Sequence, residues 1–138
     1  MAQLAGYSGT PLAKKLGIKP GFKVELINGP THYFKLFTDL PVDIEVNNDL
    51  LIRKDLIHFF IKDQAEFKML LPQLMSQIKI NGIIWVSWPK KSSKVLTDVT
   101  EDIIRNYAIS IGLVDVKVCA VDEVWSGLKL VIPVKNRK

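Results

Sequence analysis

Gly82-Ile83-Ile84-Trp85-Val86-Ser87-Trp88, followed at once by Pro89-Lys90-Lys91, decides the fold of this chain. The apolar run has the length of a strand, and the proline and two lysines stop it, so it reads as a buried strand that ends on a basic loop. Just upstream, Ala65, Phe67, Leu70, Leu71, Leu74 and Ile78 recur at intervals of three and four. That spacing predicts an amphipathic helix from Gln64 to Lys79, closed by Asn81-Gly82. Pro72 falls inside it and predicts a kink or a restart, because proline removes one internal hydrogen bond. Before the helix, Asp55-Leu56-Ile57-His58-Phe59-Phe60-Ile61 is again a continuous apolar run, expected to be buried on both faces. Strand, helix and strand in this order imply a parallel pair at the centre of a sheet.

Working outward, Thr10-Pro11 before Leu12-Ala13-Lys14-Lys15-Leu16 and Gly17 predicts a short helical segment at about 8–17, with Thr10 as N-cap. After the Lys19-Pro20-Gly21 turn, Lys23 to Asn28 alternates into a strand that Gly29-Pro30 ends. Tyr33, Phe34, Leu36, Phe37 and Leu40 predict a short helix from Thr31 to Leu40, and Asp43 to Val46 a second strand. Asp98, three residues before Glu101, resembles the start of a capping box for a helix that carries Ile103, Ile104, Tyr107, Ala108 and Ile111 and stops at Gly112. Strands are expected at 114–121 and 128–134. The Asp122 to Gly127 link is too short for a helical crossover, so this pair is an antiparallel hairpin. The expected fold is therefore an α/β three-layer sandwich with a mainly parallel sheet and a C-terminal antiparallel hairpin, in one domain spanning 1–138.

Composition agrees with a globular domain: 138 residues, 48% hydrophobic and 24% charged. Met1-Ala2-Gln3-Leu4-Ala5-Gly6 shows no basic leader, and no apolar run approaches the length that spans a bilayer, so the expectation is a cytoplasmic protein without a membrane partner. One cysteine, Cys119, excludes an internal disulfide framework and is read as structural. The net charge of +5 favours anionic partners. Lys90, Lys91 and Lys94 are its one suggestive concentration; the clusters near both termini read as solvated surface.

The Lys19-Pro20-Gly21 approach to the first strand, the strand from Asp55, the helix to Asn81-Gly82, the Trp85 strand and the antiparallel end together resemble the Rossmann-like fold of S-adenosylmethionine-dependent methyltransferases. The resemblance implies a cofactor site after the first strand, where those enzymes carry a glycine-rich turn that lets the backbone approach the ligand. Here that turn is Asn28-Gly29-Pro30-Thr31-His32, with a single glycine and a rigid proline. An acidic residue about 20 positions on commonly holds ribose hydroxyls in such sites, and Asp49 stands in that place. The resemblance thus implies Asn28, Gly29 and Asp49 as cofactor-binding residues, while Asn47-Asn48-Asp49 is equally ordinary turn chemistry.

A second resemblance covers nearly the whole chain. Gly6-Tyr7-Ser8-Gly9-Thr10-Pro11-Leu12, Trp88-Pro89-Lys90, Thr97-Asp98 with Thr100-Glu101-Asp102, and Lys117-Val118-Cys119-Ala120-Val121-Asp122-Glu123 leading to Trp125-Ser126-Gly127-Leu128 are similar to a bacterial family of unknown function, the domain-of-unknown-function 3052 family. It implies the same fold and leaves the function open.

In an open α/β sheet, ligands bind beyond the carboxyl ends of the parallel strands. That edge is expected to gather Asn28 to Thr31, Lys62-Asp63 and Trp88 to Lys94. Lys90, Lys91 and Ser92 offer donors to a phosphate or carboxylate, and Trp88 an aromatic wall. Trp125, beside Asp122 and Glu123, is a candidate anchor for a protein partner, weighed against folding back over the sheet. His32 borders the first loop and is a candidate ligand contact; His58, in an apolar strand, reads as a hydrogen-bonded core residue. No spacing fits a metal site, a phosphate-binding loop or a serine nucleophile. The leading reading is a non-catalytic ligand-binding or protein-interaction module on a methyltransferase-like fold without its cofactor loop. The alternative is a small S-adenosylmethionine-dependent methyltransferase with an atypical loop, and a third reading is a nucleic-acid binder.

Overall fold

The computed structural model describes residues 9–137. Met1 to Gly6, the first part of the motif that ends at Leu12, the start of the segment at about 8–17 and Lys138 lie outside the described residues. Helices α1 (Leu12–Leu16), α2 (Gln64–Met75) and α3 (Glu101–Ser110) and strands β1 (Lys23–Ile27), β2 (Glu45–Val46), β3 (Lys54–Phe60), β4 (Ile78–Pro89), β5 (Val114–Ala120) and β6 (Trp125–Val131) form the framework. The strands make one six-stranded sheet in the order β2-β1-β3-β4-β6-β5. β2, β1, β3 and β4 run parallel; β6 is antiparallel to both β4 and β5. The expected mainly parallel α/β sheet with a terminal hairpin is what the chain forms.

Two apolar clusters sandwich the sheet. On one face Ile57, Phe59, Ile84, Val86 and Leu128 pack against Phe67, Leu71 and Leu74 of α2 and Ile104 and Ala108 of α3. On the other, Leu56, Phe60, Trp85 and Trp125 meet Leu12 and Leu16 of α1 and Tyr33. β3 and β4 carry apolar residues toward both, as expected of strands buried on two faces. Trp85, fully buried, donates its indole N–H to the carbonyl of Leu16 at 2.8 Å and so pins α1 to the sheet. Gly127 lies opposite Ser87, where a Cβ would come within 3.1 Å of the Trp85 ring.

Two fully buried polar side chains, His58 and Lys54, find partners. His58 is fully buried, with Nδ1 2.9 Å from the Tyr33 hydroxyl and Nε2 2.7 Å from Ser87 Oγ. One neutral imidazole satisfies both contacts in either tautomer. Lys54, also fully buried, directs its ammonium 2.6 Å from the carbonyl of Asp49 and 3.3 Å from Glu25 Oε1. That carboxylate oxygen makes no hydrogen bond, so the ion pair alone offsets its loss of water.

Several local expectations are corrected. α2 ends at Met75 rather than continuing to Lys79, and Lys79 to Gly82 belong to β4. The reason is strand pairing: Ile78 already partners Lys54, and the register jumps to Leu56 with Ile83 across an irregularity. Gly82 serves that jump and not a helix stop, because a Cβ there would lie 2.9 Å from the Lys79 carbonyl oxygen. α2 runs through Pro72 without a restart. The stretch expected as a helix from Thr31 to Leu40 is a single 3-10 turn, Tyr33–Leu36. Only Tyr33 of its apolar residues is fully buried, and Phe34 is 46% exposed, so no helical stripe faces the core. Thr10 is not the N-cap of α1; that position is Pro11, and the Asp39 carboxylate accepts from the Ala13 and Lys14 amides instead. Nor does Asp98 cap α3. Thr100 does, accepting from the Ile103 amide, while Asp98 accepts from the Gln64 amide at the start of α2. β6 begins at Trp125, three residues earlier than expected, because it pairs with β4 from Pro89 onward.

Candidate functional site

After β1 the chain crosses to β2 on one side of it, then returns to β3 on the other. β1 and β3 therefore diverge in connection direction, and the crevice beyond their carboxyl ends is the topological switch point, where open α/β sheets bind ligands. A cleft of about 590 Å³ lies there. Residues 28–32 after β1, 60–63 after β3, Glu66 of α2 and Trp125 of β6 line it.

Each element places its groups for a local reason. Asn28 takes a left-handed conformation, φ 58°, which asparagine tolerates better than most residues. Its amide donates to the Phe60 carbonyl at 3.3 Å and to Glu66 Oε2 at 3.2 Å, stitching the ends of β1 and β3 together. Asp63 is the N-cap of α2, accepting from the Glu66 amide at 3.0 Å. That cap sets Glu66 in the first turn, at the rim of the cleft.

Across the cleft, His32 Nε2 lies 3.3 Å from Asp122 Oδ2, a contact between residues 90 positions apart. The His32 side chain is half exposed at 51%, the Asp122 side chain only 10% exposed. The other oxygen of Asp122 accepts from the amides of Val124 and Trp125, both at 2.8 Å, which locks the turn between β5 and β6. Trp125 packs edge-on against Phe60, with ring centroids 5.0 Å apart. It folds onto the sheet, and its remaining surface borders the cleft.

The edge expected to form one site holds two. Trp88, Lys90, Lys91 and Lys94 line a separate cleft of about 700 Å³, with Thr97, Thr100 and the start of α3. Trp88 packs in the cluster with α2 and α3, whereas Phe60 and Trp125 pack in the cluster with α1, and the linings of the two clefts share no residue. Ser92 sits in the 3-10 turn Lys91–Ser93 and is not part of either lining. The left-handed Lys94, φ 60°, turns that loop back toward α3.

Asp49 does not join Asn28 and Gly29. The two residues of β2 pair only with Lys23 and Val24, at the start of β1, so the chain leaves the sheet there and turns back to the start of β3. Asp49 closes that turn. Its carboxylate accepts from the Leu51 amide and its carbonyl from Lys54, and it lies outside the cleft lining. Gly29 is required by its neighbour: a Cβ there would come within 2.6 Å of the Leu26 side chain. Gly29 lies in the lining of the switch-point cleft beside Asn28 and Pro30. Cys119 is half-buried, and burial pushes its thiol up while Lys15 and Lys117 pull it down by less, which leaves it unactivated. Among the described residues no cluster of His, Cys, Asp and Glu is placed to hold a metal, and no helix is long and apolar enough to cross a membrane.

The pairing of His32 with Asp122 was not legible in the sequence, where each appeared separately as a possible contact in a different loop. Glu66 was hidden too, since it reads as one more polar position on an amphipathic helix.

No family model and no curated protein matches the sequence. Solved structures do match in fold. A ribosomal protein L11 methylase from Lactobacillus delbrueckii subsp. bulgaricus superposes with a TM-score of 0.56 at 16% identity, covering 87% of this chain and 74% of the other. An O-methyltransferase from neocarzinostatin biosynthesis, in complex with S-adenosylmethionine and 2-hydroxy-5-methyl naphthoic acid, gives 0.60 at 12% identity, over 93% of this chain and 51% of that one. An S-adenosylmethionine-dependent methyltransferase from Clostridium acetobutylicum gives 0.59 at 9% identity, over 87% of each chain. At such identities the likeness is one of fold. The chain has the Rossmann-like architecture of S-adenosylmethionine-dependent methyltransferases.

Proposed function

We propose that this chain is a small S-adenosylmethionine-dependent methyltransferase with an atypical cofactor loop, binding S-adenosylmethionine in the switch-point cleft. The observation that carries the reading is the cleft itself, of about 590 Å³, at the carboxyl ends of β1 and β3. Its volume is in the range of small-molecule sites. S-adenosylmethionine presents an ammonium, a sulfonium and a carboxylate; Asp63 and Glu66 supply carboxylates at one rim of the cleft and Lys62 an ammonium. Trp125 and Pro30 supply apolar flanks for a purine. The bound group would contribute an electrophilic methyl; the chain's residues would hold it and take the acceptor's proton.

A non-catalytic module remains the second reading, and one observation favours it. The Asn28 amide spans from the Phe60 carbonyl to Glu66, filling hydrogen bonds that a ligand would otherwise take, and no acidic residue at Asp49 reaches the cleft. On this reading Lys90 and Lys91 of the second cleft, with Trp88 beside them, bind a small anion or an acidic protein surface. The similarity to the bacterial family of unknown function is compatible with both readings, and we propose membership on the four segments that carry it.

Calorimetry separates them. The methyltransferase reading expects S-adenosylmethionine and S-adenosylhomocysteine to bind, nicotinamide dinucleotides not to, and Glu66→Lys, which replaces an attractive charge with a repulsive one, to weaken S-adenosylmethionine by about severalfold. Absence of heat with both S-adenosyl compounds rejects it.

A further inference from the structure

We infer that His32 and Asp122 form a proton-accepting pair that serves an O–H or N–H group presented in the switch-point cleft. In its last step this rests on the methyltransferase reading; the pair itself does not. Asp122 is buried, 7% exposed, and two amide donors fix one of its oxygens, so the carboxylate has no freedom to swing toward solvent. Its second oxygen faces His32 Nε2 at 3.3 Å. A carboxylate only accepts, so Nε2 is the donor, and in the neutral ring the unprotonated nitrogen is Nδ1. Among the described residues Nδ1 makes no hydrogen bond, and the ring is half exposed at the cleft. A group that orients a histidine, a bare ring nitrogen and an adjoining cavity are the parts a general base needs.

The acceptor class follows. A nucleophile that is already anionic needs no base, whereas a hydroxyl or a protonated nitrogen must lose its proton as it reacts. That proton goes to His32 Nδ1. With S-adenosylmethionine bound, the acceptor's lone pair would form the bond to the methyl carbon while the carbon–sulfur bond broke, its electron pair remaining on sulfur in S-adenosylhomocysteine. The protonated imidazole then returns its proton to solvent across its exposed edge. Asp122 acts throughout as a positioning residue.

The alternative is a tie between two loops, and reactivity distinguishes it. The chain has two histidines, and His58 is fully buried, so diethyl pyrocarbonate reads His32 alone. The expected result is one carbethoxylated imidazole, formed faster than in N-acetylhistidine and slowed by about threefold or more in Asp122→Asn, which keeps the oxygen that holds the turn. Nitrogen-15 shifts of His32 should report the Nε2–H tautomer in the wild type and a mixed population in Asp122→Asn. Equal reaction rates in the two proteins, or a dominant Nδ1–H tautomer, would overturn the pair. The two claims fail separately. If S-adenosyl compounds do not bind while the Asp122 dependence persists, the methyltransferase reading falls and the pair stands; if they bind and Asp122→Asn changes nothing, the pair falls and the reading stands.

Discussion

His58 shows how one residue ties stability to pH. Burial pushes its imidazole down from 6.5 to about 3, because the packed site around Tyr33, Phe60 and Ser87 has no room to hydrate a charge. Unfolded histidine takes up a proton near pH 6.5, and folded His58 does so only near 3. Below pH 6.5 the unfolded chain therefore binds more protons, so this residue leaves stability intact above 6.5 and erodes it as the pH falls toward 3. The slope is about 1.4 kcal/mol per pH unit. Urea unfolding between pH 6.5 and 5, above most carboxylate titration, should show that decline in the wild type and a flatter line in His58→Asn. Equal slopes would mean that the ring is hydrated in the folded state. That histidine was legible as a core residue from its apolar strand, but Tyr33 and Ser87, its partners 25 and 29 positions away, were not.

At the scale of elements, α2 and α3 were legible because their apolar residues repeat at helical intervals. Their ends were not, because remote side chains set them. Asp98 holds the start of α2 and Asp39 the start of α1, contacts that no local pattern announces. Pro72 illustrates the compensation. Lacking an N–H, it leaves the Lys68 carbonyl, four residues back, without its helical donor, and the Tyr107 hydroxyl of α3 donates to that carbonyl at 2.9 Å. The sequence therefore carries a helix-breaker whose penalty a neighbouring helix relieves. Tyr107→Phe should cost about 1 kcal/mol in the wild type and clearly less in a Pro72→Ala background, where a backbone N–H fills the same carbonyl. Chemical denaturation of the four proteins in the cycle measures the coupling; additive effects would show that the hydroxyl does not stand in for the missing donor.

Across the whole molecule, the order of buried strands and amphipathic helices announced the α/β sheet, and the short Asp122 to Gly127 link announced its antiparallel end. The candidate site was only half legible. Loops at strand ends, Asn28-Gly29 and Trp88-Lys90-Lys91, could be found from where the strands stop. Whether they meet depends on what each loop packs beside: the loop after β1 joins the end of β3 and α2, the loop after β4 joins the start of α3, and the two linings share no residue. Asp49 was misplaced for a related reason: its spacing from β1 suits a longer β2, and the two residues of the actual strand return the chain to the wrong end of the sheet. The His32–Asp122 contact arises only when the β5–β6 turn folds beside the loop after β1.

Residue-resolved titration of the amide spectrum with S-adenosylhomocysteine tests whether the switch-point cleft binds an S-adenosyl ligand. Binding there gives saturable shifts confined to residues 28–32, 61–66 and the Trp125 indole, together with a stabilisation of about 2.7 kcal/mol at 100 times the dissociation constant. A spectrum unchanged at millimolar ligand, or shifts centred on Trp88 to Thr97 in the second cleft, would overturn that assignment.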